Sequence, residues 1–140
     1  MQRLYALAVV LSLALLLGCG SSGASDSAVR KTVERGVAQL REPQTAEQLH
    51  DALVRTLREL RDEHASTATG RKGRALAIGG FTWTLRGIDA RLEMTRNDSG
   101  NLEASVRDAV RADRDRRKGA RLLRAAGRSL GIGIGKLNGF

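Results

Sequence analysis

At 140 residues with a single cysteine, the chain has room for one small domain and no internal disulfide, so apolar packing alone must hold its fold. Its formal net charge of +9 is carried by twenty arginines against four lysines and points to anionic partners. With two histidines, and aromatic residues at only 3%, there is little material for a metal centre, a nucleophilic triad or an aromatic-lined ligand groove, and no enzyme and no cofactor are expected.

Arg3 gives a short positive start, and Leu4 to Leu17 then run without a charge. A charged start, an apolar stretch of this length and small residues after it mark a secretory signal peptide. The stretch falls short of the ~20 apolar residues that span a bilayer, and no later segment is long and apolar enough to do so. At its end, Leu16-Leu17-Gly18-Cys19 resembles the lipobox of bacterial lipoproteins, where cleavage occurs before a cysteine bearing a thioether-linked diacylglycerol. The resemblance implies removal of residues 1–18 and lipidation of Cys19, with acyl chains such as palmitate. It thus implies an extracytoplasmic protein held to a membrane. Acyl chains buried at ~0.8 kcal/mol per methylene make such attachment lasting. Export also removes nucleic acid from the expected partners; anionic lipid, envelope polyanions or another envelope protein take its place.

Gly20 to Ser25 read as a flexible tether by composition. From Asp26 the pattern turns helical. Val29, Val33, Val37 and Leu40 share one face, with Asp26 or Ser27 as cap and Pro43 beyond the end. Thr45 with Gln48 fits a capping box, and Leu49, Leu53, Leu57 and Leu60 then make an unbroken stripe, predicting a helix over 46–64. Ser66 to Gly73 read as a polar break.

Residues 74–95 are expected to form the central helix of a bundle. Ile78, Phe81, Leu85, Ile88 and Leu92 make a large apolar stripe. Gly73, Ala77, Gly80, Thr84 and Gly87 make a small one beside it, which lets a neighbouring helix approach closely. Gly79 and Gly80 oppose this at ~1 kcal/mol each. They also permit a rival hairpin over 75–85, with a Gly-Gly turn. The stripe's continuation in phase to Leu92 favours the helix.

Asn97 to Asn101 form a turn, and Leu102, Val106, Ala109 and Val110 begin a fourth helix capped by Ser99 or Asn101. It either runs to Leu130 or is cut in two at Gly119. The tail Gly131-Ile132-Gly133-Ile134-Gly135 is too glycine-rich for a helix and is expected as an extended strip over the bundle.

The main functional signal is a row of arginines: Arg107, Arg111, Arg114, Arg117, Arg121, Arg124 and Arg128 recur at spacings of three and four. They keep to one side of a helix for ~32 Å at 1.5 Å per residue. Arginine suits carboxylate and phosphate because its planar fork donates two parallel hydrogen bonds. The bland alternative pairs these arginines with Asp108, Asp113, Asp115 and acids of other helices. His50 and His64 lie ~21 Å apart by helical rise, too far to share a metal.

The reading is therefore an all-α fold, a small antiparallel bundle of three or four helices over residues 26–140. The expected function is non-enzymatic: a membrane-tethered envelope lipoprotein making protein or polyanion contacts through a basic helix face. The alternative is a small-ligand binding or sensing module with a cavity in the bundle.

Overall fold

The computed structural model describes residues 21–96 and 101–137, and these form four α-helices with no strand among them. α1 spans Ser21–Gln39, α2 Ala46–Asp62, α3 Ala68–Arg96 and α4 Leu102–Leu130. Cys19 and the rest of the lipobox-like segment, together with Asn97–Gly100, lie outside the described residues.

The starts of α1 and α3 meet at one end of the bundle, where the Asp26 carboxylate accepts the Ser66 N–H at 2.9 Å. α2 and α4 finish at that same end: Arg74 donates to the carbonyls of Leu60 and Arg61, and Leu130 packs on Gly73. The four helices thus alternate in direction, an antiparallel bundle. α3 and α4, at 29 residues each against 19 and 17, run ~43 Å and project past the α1–α2 pair at the opposite end.

The core is aliphatic with one ring. Val29, Val33, Val37 and Leu40 from α1 meet Leu49, Leu53, Leu57 and Leu60 from α2. Phe81 and Ile88 from α3, and Leu123, Ala126 and Leu130 from α4, complete the cluster. Phe81 is wholly buried, and Gly36 on α1 makes its space: a Cβ there would stand 2.6 Å from the ring's Cζ. Among the described residues these core positions run from Val29 to Leu130 and join all four helices in one cluster.

The small-residue stripe of α3 is buried against α4, as its period predicts. A Cβ at Gly80 would lie 2.7 Å from Leu123 Cγ and 3.0 Å from the Leu123 backbone nitrogen. The rival hairpin does not occur, since residues 75–85 are helical throughout. α4 is likewise unbroken at Gly119. Its glycine serves close approach and not a break.

Other boundaries differ from the sequence reading. α1 begins at Ser21, so residues 21–25 are helical where composition suggested a tether. Asp26 is therefore inside α1 and does not cap it. Its buried carboxylate instead accepts from the Ser66 N–H and the Thr67 hydroxyl across the bundle. Thr67 in turn accepts the Gly70 N–H at 2.9 Å, which caps α3 and lets it start six residues before Arg74. The expected polar break shrinks accordingly. The capping box at Thr45 and Gln48 is present with both bonds formed, and Asn101 caps α4 through the Ala104 N–H.

Gly131 ends α4 in the left-handed region at φ 69°, which favours glycine. The Ile132 N–H then donates back to the Gly127 carbonyl at 2.9 Å, closing the turn. The tail doubles over α4, with Ile132, Ile134 and Leu137 packed on the core and Gly133, Gly135 and Lys136 exposed. Gly127 leaves room for this return, since a Cβ there would meet Ile134 Cγ1 at 2.7 Å.

Candidate anion-binding face

α4 turns Ala112, Gly119, Leu123, Ala126 and Leu130 into the bundle. At about 100° per residue, the arginine row falls on the opposite side. All seven of its members, Arg107, Arg111, Arg114, Arg117, Arg121, Arg124 and Arg128, are exposed.

Among the described residues, only two of the seven have an acidic partner. Arg107 lies 3.7 Å from Glu103, and Arg117 lies 2.7 Å from Asp113, each one turn away on the same helix. Such exposed pairs contribute only ~0.3–0.5 kcal/mol. Arg111, Arg114, Arg121, Arg124 and Arg128 have no ion-pair partner among the described residues. Asp108 and Asp115 fall around the helix from the row and do not pair with it. Lys118 turns aside onto Trp83, its Nζ 3.6 Å from the ring centroid, while Arg86 covers the same indole at 4.8 Å.

The first turns of α4 supply a feature that hydrophobic counting misassigned. Leu102, Val106 and Val110, expected on the packed face, are exposed at 79%, 53% and 56%. Val106 and Val110 precede Arg124 and Arg128 by eighteen residues, five full turns, so they share the side of the arginine row. That outer face is apolar where α4 begins and basic further along.

A concave feature lies where α3 and α4 outrun the α1–α2 loop. It is a cleft of about 520 Å³ lined by Leu40, Arg41, Glu42, Pro43, Gln44, Thr45, Ala46, Leu49, Ile88, Arg91, Leu92, Thr95 and Arg116. Arg116 interrupts the spacing of the row and lies on the cleft side, only partly exposed. Burial pushes its guanidinium below the usual value, nearby Arg91 pushes the same way, and Asp113 opposes them. Spacing alone held the signal for Arg116, since it sits out of phase between Arg114 and Arg117. Nothing sequential links it to Arg41 and Arg91.

His50 sits between Asp51 at 3.1 Å and Asp89 at 3.3 Å, while His64 is at the far end of α2, beside the Asp62 carbonyl. No cluster of three His, Cys, Asp or Glu residues among the described residues is arranged to hold a metal ion. No described helix is long and apolar enough to cross a membrane. No protein-family model, curated protein or solved structure matches the chain.

Proposed function

We propose that this chain is a lipid-anchored envelope protein, tethered through Cys19, that rests the outer face of α4 on an anionic lipid surface. The observation carrying this reading is that five arginines of one helix face, Arg111 to Arg128, stand without acidic partners among the described residues along ~26 Å of helix. A basic residue close to an anionic surface contributes ~1 kcal/mol, within a Debye length of ~8 Å at physiological salt. Exposed Val106 and Val110 add an apolar contact on the same side, as in helices that lie in a membrane interface. The role is adhesive and not catalytic.

The test is cosedimentation of residues 21–140 with vesicles. The domain binds phosphatidylglycerol-containing vesicles, releases them as salt rises, and ignores purely zwitterionic ones. Replacing Arg114, Arg117, Arg121 and Arg124 together by glutamine largely abolishes binding. Salt-independent binding, or no binding at low salt, contradicts the proposal.

A further inference from the structure

The cleft at the open end of the bundle combines two surfaces that no single simple ligand class satisfies except one. Its floor is aliphatic, from Leu40, Leu49, Ile88 and Leu92. Arg91 from α3, Arg116 from α4 and Arg41 from the α1–α2 loop all line it. Glu42 is the only acid lining it, so the cleft carries an excess of positive charge. Its volume of about 520 Å³ falls in the ~300–1,000 Å³ range of small-ligand sites.

We propose that this cleft binds a free anionic amphiphile, a carboxylate or phosphate head on a short aliphatic chain. A neutral ligand would leave the excess positive charge of the lining, from Arg41, Arg91 and Arg116 against Glu42, without a counter-charge. A small hydrated anion would leave the leucine and isoleucine floor wet. An anion with an apolar chain answers both, its head taking paired N–H donors from the exposed Arg91 guanidinium and its chain covering the floor. The absence of any aromatic residue from the lining selects an aliphatic chain over a ring. This site lies apart from the outer arginine row, so it stands or falls independently of the vesicle contact.

Calorimetric titration of residues 21–140 with decanoate, kept below its micelle concentration, tests the proposal. Decanoate binds one to one, while acetate and decanol bind at least ~10-fold more weakly, because each lacks one half of the recognition. Arg91→Gln weakens decanoate about tenfold, Arg91→Lys recovers part of the loss, and both leave vesicle binding unchanged. Arg91 is exposed, so its variants keep the fold even where Arg116→Gln disturbs packing. Arg114→Gln on the outer face leaves decanoate affinity unchanged. Equal binding to wild type and Arg91→Gln, no decanoate binding, or loss of vesicle binding in Arg91→Gln would each overturn the assignment.

Discussion

Gly119 on α4 stands directly against Gly80 on α3: a Cβ at position 119 would come within 2.7 Å of the Gly80 carbonyl oxygen and 2.9 Å of the Thr84 backbone nitrogen. The Thr84 hydroxyl crowds the same position, and beside it backbone meets backbone, which cannot move aside as a flexible side chain could. This contact brings α4 close to α3 and so fixes which side of α4 is left to solvent.

The glycines of this contact predict opposite outcomes for neighbouring substitutions. Gly80→Leu and Gly119→Ala should destabilise the domain, by ~1–3 kcal/mol for overpacking a tight contact. Gly79 is different, because its Cβ would meet only Leu122 Cδ1 at an ordinary 3.5 Å. Gly79→Ala should therefore stabilise by up to ~1 kcal/mol through helix propensity. Thermal melts of residues 21–140 compare the three. A tolerated Gly119→Ala would mean that the helices are not in backbone contact.

Asp26 makes stability depend on acid. The Thr67 hydroxyl, opposed by burial and aided by the Ser66 and Thr67 N–H groups and by Arg30, holds its carboxyl below the 3.8 of an unperturbed aspartate. The unfolded chain then binds more protons between the two values. This contribution is full above pH ~4 and is lost as pH falls through the folded value. Asp26→Asn should melt lower than wild type at pH 7, and the gap should close in acid. Parallel melting profiles from pH 7 to pH 2 would remove Asp26 from this role.

Anchoring is tested at Cys19. Cys19→Ser in the full chain should release the protein from membranes or leave an unprocessed precursor, read by detergent partition and mass spectrometry of the N-terminus. An unmodified mature protein in the aqueous phase would contradict lipid attachment.

Much of the bundle is legible from spacing. The stripe from Leu49 to Leu60 and the small face from Gly73 to Gly87 each repeat with the helical period, and both are buried. What escaped were relations between elements. Asp26 looks like a cap because it starts an apolar-periodic segment, yet its partners Ser66 and Thr67 are forty residues away. Leu102, Val106 and Val110 look packed because they are apolar at helical spacing. Their steps of four drift around the helix, out of phase with Ala112, Gly119 and Leu123, and they emerge on the solvent side. The cleft draws on the α1–α2 loop, α3 and α4 together, and only packing brings those segments to one place.

The central claim, that the outer face of α4 is the surface that meets lipid, is tested most directly by measuring depth residue by residue. Spin labels are placed one at a time at Val110→Cys, Arg121→Cys and Arg58→Cys in residues 21–140, and oxygen and water accessibility is recorded on phosphatidylglycerol-containing vesicles. Val110 and Arg121 lie along the outer face of α4, while Arg58 is exposed on α2. On binding, the labels at 110 and 121 should lose water accessibility, that at 110 should gain oxygen, and that at 58 should stay as in solution. Protection at position 58 with none at 110 or 121 would contradict the account.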